Sequence, residues 1–244
     1  MKTEAILGRI RIVLSHPTHP GNIGAAARAM KTMGLSRLVL VNPHRFPDPQ
    51  ATAMAAGADD VLNSARVCAS LDEALQGTRL ALAVTARKRD LSHPAADARD
   101  AAVLLLDEAV EGEIAIVFGT EMSGLSNEEV LKCQRLAHID ANPEYSSLNL
   151  AAAVQVMAYE LRRAATGGIR IGADRYEAAV FEDIEGFYAH LEQRLVVSGF
   201  LDPSEPKRLM DRLRRLFGRA RLEKEEVNIL RGILTAWEKP KRRE

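Results

Sequence analysis

Three stretches of the chain set polar side chains beside glycine or at the mouth of an apolar run. "PGNIGAAAR" carries Gly21, Asn22, Gly24 and Arg28; "FGTEMSGLS" carries Gly119, Glu121 and Gly124; "NPEYSSLNL" carries Ser146, Ser147 and Asn149. Amides and hydroxyls can orient a hydroxyl-bearing substrate, and a guanidinium can clamp a phosphate or stabilise negative charge as it develops. Each glycine loop read alone is equally well a turn, because positive φ suits both uses. The second loop has the glycine spacing of a P-loop, but Leu125 stands where the phosphate-binding lysine is required. NTP hydrolysis is therefore disfavoured, and neither loop fits the dinucleotide pattern GxGxxG.

Glu121 has two readings, a chemical group or a carboxylate compensating a helix dipole. His16 and His19 in "SHPTHPG" lack a third ligand and read as a turn stiffened by Pro17 and Pro20, so no metal is expected. Cys68 and Cys133 have neither metal-site nor disulfide spacing and read as buried thiols. Ser147 precedes the alanine-rich run "LNLAAAVQVMAYELRR". A helix start leaves N–H groups unpaired and carries partial positive charge, so Ser147 is expected to be the N-cap, at a helix mouth that can also hold a ligand.

The elements that must position these residues are legible as an alternation. "RIRIVL", "RLVLVN", "RLALAVTA", "EIAIVFG" and "RLAHIDA" read as strands. Helical patterns fall between them, in "NIGAAARAMKTMG", "DEALQG", a stretch near 95–110, "SNEEVLKC" and the run after Ser147. Apolar strands alternating with helices predict an α/β fold with a parallel sheet covered on both faces. Gly34 and Gly77 stand where left-handed helix caps are expected. The pattern divides the chain into a sheet domain, 1–165, a glycine-bearing linker, 166–174, and a small helical domain, 175–244. In the last, Tyr176, Val180, Phe181, Ile184, Phe187, Tyr188, Leu191 and Leu195 recur at helical spacing. A second run places Leu209, Leu213, Leu216 and Phe217 on one stripe. Lys207, Arg208, Arg212, Arg214, Arg215, Arg219 and Arg221 surround it, opposed in that run only by Asp211, which predicts phosphate contact.

Thirty-three basic and 33 acidic residues cancel, which excludes a protein basic over its whole surface but not one with a local patch. With 47% hydrophobic residues among 244, a sizeable core can be buried. "MKTEAILGRIRIVL" lacks a signal-peptide h-region and no apolar run reaches membrane length, so a cytoplasmic protein without membrane contact is expected.

Taken in order, "GNIGAAARAMKTMGL", "FGTEMSGLS" and "NPEYSSLNLA" resemble the three motifs of the SPOUT class of RNA methyltransferases. With the late "LRRLFGRAR" and "NILRGIL", the chain looks most like the bacterial TrmJ family, over nearly its whole length. That family methylates the ribose 2′-hydroxyl of the pyrimidine at position 32 of tRNA. The resemblance implies a SPOUT sheet with a C-terminal trefoil knot, S-adenosyl-L-methionine (AdoMet) as cofactor, tRNA as partner, a homodimer and no metal. Carried over residue by residue, the cofactor is held by Thr85, Ala86, Gly119, Ile139, Ser146, Ser147 and Leu148. Arg28, Asn22, Ser147 and Asn149 are implied as the catalytic set, and Arg28, Arg208, Arg212, Arg215 and Arg219 as RNA contacts. Arg28 is implied to act on the 2′-hydroxyl across the dimer, and since a guanidinium stays protonated, stabilising the alkoxide or clamping a phosphate is its easier role. A SPOUT enzyme acting on ribosomal RNA and a non-catalytic RNA-binding protein remain the alternatives, the second disfavoured by the intact catalytic set.

Overall fold

The computed structural model describes residues 3–86, 95–167 and 177–237. Strands β1 (Ile10–Ser15), β2 (Arg37–Val41), β3 (Arg66–Cys68), β4 (Thr78–Val84), β5 (Ala95–Asp97), β6 (Glu113–Phe118) and β7 (Arg135–His138) form one sheet in the order β3-β2-β1-β6-β4-β7-β5. Every paired neighbour is parallel, with Ile12 beside Leu38 on one side and Ile116 on the other. Helices α1 (Thr3–Leu7), α2 (Pro20–Met33), α3 (Pro49–Ala55), α4 (Asp59–Asn63), α5 (Leu71–Leu75), α6 (Ala98–Glu111), α7 (Asn127–Leu131) and α8 (Leu150–Thr166) connect and cover the strands.

The two faces divide by side-chain size. Ile10, Ile12 and Leu14 of β1, Leu80 and Leu82 of β4, and Ile114, Ile116 and Phe118 of β6 point to the face carrying α2, α6 and α8. The intervening Val13, Ala81, Ala83, Ala115 and Val117 point the other way, toward α5 and α7. A strand buried on both sides must read as an unbroken apolar run, which is how these strands read. On the first face α2 and α3 meet backbone to backbone: a Cβ at Gly24 would fall 2.0 Å from the carbonyl oxygen of Ala51. Only glycine fits there. Gly34 caps α2 with φ 83° and Gly77 has φ 75°, the left-handed conformation expected of both. The short α1, α3, α4, β3 and β5 add to the elements that periodicity indicates.

Three helices follow, α9 (Phe181–Val197), α10 (Leu209–Ala220) and α11 (Lys224–Ala236). The helical stripe expected from Tyr176 starts later. Val180, itself extended, is the N-cap of α9, and Ala178 ahead of it bridges Glu223. Thr166 is still helical and Gly167 caps α8; the rest of the expected linker, and Tyr176, lie outside the described residues. Phe187, Tyr188 and Phe217 form the centre of the bundle, with Phe187 and Phe217 edge to face at 4.9 Å. The bundle shares a core with the sheet domain: Phe181 is buried in the second-face cluster with Leu71, Leu75 and Val130, and Glu182 accepts from the Gly77 N–H at 2.8 Å.

The basic run is less free than its linear reading. Arg214 makes two hydrogen bonds to Glu185, at 2.6 and 2.8 Å, and lies 4.4 Å over the Tyr188 ring, while Arg221 pairs with Glu108 of α6. The opposing acids come from other elements, which a count along one helix cannot include. Leu216, expected on the apolar stripe, is 49% exposed.

Candidate active site

The carboxyl ends of β4, β6 and β7 and the mouth of α8 enclose a cavity of about 220 Å³. Thr85 and Ala86 continue β4 into it, Gly119 continues β6, Ile139 follows β7, and Ser146, Ser147 and Leu148 lead into α8. All seven residues implied to hold the cofactor thus line one space. The loop after β6 folds back on itself, with Gly124 N–H donating to Thr120 O at 3.0 Å. A Cβ at Gly119 would fall 2.1 Å from the Gly124 carbonyl carbon and the Leu125 nitrogen, so this close return needs glycine.

The lining suits an adenosine bearing a cationic group. Val84, Phe118, Ile139 and Leu150 give apolar surface, Thr85, Thr120, Ser146 and Ser147 give hydroxyls, and among the described residues Glu121 is the one ionisable group in the lining. Partial burial alone would raise the Glu121 pKa. The hydrogen bonds from the Asn22 amide and from the Thr18 N–H and hydroxyl outweigh it and bring the value down to about 2.

Glu121 also begins a relay. One carboxylate oxygen accepts from Thr18 N–H at 2.9 Å and Thr18 Oγ1 at 2.7 Å; the other accepts from His19 N–H at 3.1 Å and Asn22 Nδ2 at 2.9 Å. Asn22 Oδ1 accepts from Asn149 Nδ2 at 2.9 Å, and Asn149 Oδ1 accepts from Ala151 N–H at 2.9 Å and Ala152 N–H at 3.3 Å. Each amide donates in one direction and accepts from the other, which fixes both flips. Glu121 therefore serves the start of α2, where the N-cap His19 offers no side-chain bond and Pro20 needs none. The helix-start reading of Glu121 holds for α2, and the same carboxylate lines the cavity.

Ser147 is not the N-cap of α8; Asn149 is. Ser147 stands two residues too early for its hydroxyl to reach the first free N–H groups, which leaves it facing the cavity. Asn22 and Asn149 are brought together. Arg28 is not: it is exposed on α2, is absent from the cavity lining, and its guanidinium has no partner among the described residues. Arg208, Arg212 and Arg219 are exposed, and Arg215 is half-buried. The sequence reading missed Thr18 and Thr120, whose only signal was a hydroxyl near a glycine loop. Among the described residues no group of three or more His, Cys, Asp or Glu is placed to hold a metal. No described helix is long and apolar enough to cross a membrane.

Residues 9–159 match the SpoU rRNA Methylase family, and residues 182–244 match the tRNA methyltransferase TrmJ C-terminal domain. The chain is 49% identical to the tRNA (cytidine/uridine/adenosine-2′-O-)-methyltransferase TrmJ of Pseudomonas aeruginosa, over 96% of this chain and 95% of that protein. It is 50% identical to the tRNA (cytidine/uridine-2′-O-)-methyltransferase TrmJ of Escherichia coli K12, over 96% of each. The crystal structure of TrmJ from Z. mobilis ZM4 superimposes with a TM-score of 0.82 at 36% identity, covering 94% of this chain and 99% of that one. A cavity lined by the second and third motifs, with the first held against it through the Asn22 bonds to Glu121 and Asn149, and matches that run through both halves, leave one assignment: the chain belongs to the SpoU rRNA Methylase family, in its TrmJ branch.

Proposed function

We propose that the chain methylates the ribose 2′-hydroxyl of cytidine or uridine at position 32 of tRNA, using AdoMet, as a cytoplasmic homodimer. The observation that carries this reading is the convergence of seven residues from three loops on one cavity, beside the Glu121–Asn22–Asn149 relay. AdoMet supplies an activated methyl group on a sulfonium. The chain's residues hold and orient. Thr85, Ala86, Gly119, Ile139, Ser146 and Leu148 cradle the cofactor, Ser147 and Asn149 position the ribose, and Asn22 keeps the Asn149 amide aligned. Holding a nucleophile in line can supply about 7 to 11 kcal/mol of the barrier. Arg28, protonated throughout, stabilises the negative charge on the oxygen as its proton passes to solvent water, and clamps a neighbouring phosphate.

Arg28 does not line its own chain's cavity, so a second copy supplying it completes the site. Met54 and Tyr159, 49% and 51% exposed on α3 and α8, give apolar surface beside α2 for such a partner. The trefoil knot of the SPOUT sheet belongs to the same reading. Arg208, Arg212 and Arg219, with Arg215 beside them, meet tRNA phosphates. The test is mass spectrometry of nucleosides from tRNA and from ribosomal RNA incubated with the protein and labelled AdoMet. The expected products are 2′-O-methylcytidine and 2′-O-methyluridine in tRNA; label on a base, or in ribosomal RNA alone, refutes the proposal.

A further inference from the structure

Next to the cavity a groove of about 500 Å³ runs along the start of α2. His19 and Asn22, Arg45 from the loop after β2, Gln50 and Met54 of α3, and Asn149 line it. Cavity and groove have no lining residue in common. The Asn22–Asn149 pair faces the groove, while its partner Glu121 and its neighbours Ser147, Leu148 and Leu150 face the cavity. The hydrogen-bonded amides thus stand between the two spaces.

The groove holds unused donors. Arg45 and Gln50 are exposed, and neither side chain makes a hydrogen bond or ion pair among the described residues. Among the described residues no acidic side chain lines the groove, and the nearby Asp48 accepts from the Gln50 N–H at 2.8 Å as the cap of α3. Gln50 also lies close over Gly21: a Cβ there would come 3.3 Å from Gln50 Nε2, so the glycine leaves the amide its place.

We infer that this groove seats the target nucleotide, with Arg45 on a backbone phosphate flanking it and the Gln50 amide on the edge of its base. The inference rests on the methyltransferase reading above. A guanidinium offers a fork of donors to a phosphate, and single-stranded RNA is recognised by hydrogen bonds to the edges of splayed bases. The amide carries one donor side and one acceptor side. It meets cytosine by donating to N3 and accepting from the 4-amino group, and uracil, after a half-turn, by donating to O4 and accepting from N3–H. One residue therefore accommodates both pyrimidines. A nucleotide so placed brings its ribose to Asn149 and Ser147, at the wall shared with the cavity.

The test uses the full-length protein with Arg45→Ala, Arg45→Lys and Gln50→Leu, each at an exposed position that leaves the core untouched. Arg45→Ala should raise the KM for tRNA about tenfold and lower the slope of log affinity against log salt by about 1, as the loss of one phosphate contact requires. Arg45→Lys should recover most of both. Gln50→Leu should lower kcat/KM about tenfold for cytidine- and uridine-bearing tRNAs alike with the salt slope unchanged. AdoMet affinity by calorimetry should stay within twofold for all three. Unchanged tRNA kinetics in Arg45→Ala and Gln50→Leu, an equal loss of AdoMet affinity, or a change in oligomeric state by sedimentation would each overturn the inference. Its failure is separable from that of the methyltransferase reading, which falls only if the wild-type protein forms no 2′-O-methylated nucleoside in tRNA.

Discussion

Four hydrogen bonds tie the Glu121 carboxylate to the start of a helix about a hundred positions earlier. Glu121→Gln keeps the shape and removes the charge, and loss of a helix-start acceptor of this kind costs about 1 kcal/mol. In a chain of this length that is a fall of about 2 to 4 °C in melting temperature near neutral pH. Its pH dependence has a definite sign. The folded-state pKa is depressed from 4.5 to about 2, so the stabilisation is complete above about pH 5 and disappears as the pH falls through the folded value. Melting curves of the wild type and Glu121→Gln should converge over that interval, and a gap that stays constant down to pH 2 would show that the charge contributes nothing.

The start of α8 separates two neighbours that look interchangeable in sequence. Asn149→Ala removes the cap and should cost about 1 kcal/mol, whereas Ser147→Ala, whose hydroxyl faces the cavity, should leave the melting temperature unchanged and lower AdoMet binding or turnover. Equal destabilisation by the two would return the cap to Ser147. This is also where the sequence was hardest to read. The long strands and helices were legible because period 2 and period 3.6 persist over many residues, and the loops of the site were legible because their glycines and polar residues stand together. Three residues able to cap within four positions give no such contrast; the choice of Asn149 is made by Asn22, 127 residues away. The same holds for Arg214 and Arg221, whose acids sit on α9 and α6.

At the scale of the molecule, the sheet domain and the helical bundle share the second-face core through Phe181, so cutting the chain near Thr166 would expose Leu71, Leu75 and Val130. Substitution is the cleaner probe of RNA contact. Replacing Arg212, Arg215 and Arg219 together with alanine should flatten the dependence of log tRNA affinity on log salt by up to about 3 units, and an unchanged slope would make the bundle a scaffold. The dimer has its own test. Arg28→Ala should keep AdoMet binding and lose most transfer, Gly119→Ala should lose the cavity, and mixed chains should recover activity by forming one whole site. Verified heterodimers without recovery would mean that each site is built within one chain. Finally, two spaces with separate linings on either side of the Asn22–Asn149 pair allow neither ligand to bar the other's way out. The order of binding is then set by concentration, not by the fold: AdoMet should bind in the absence of tRNA and tRNA in the absence of AdoMet, and spent cofactor can be exchanged while the RNA stays in place.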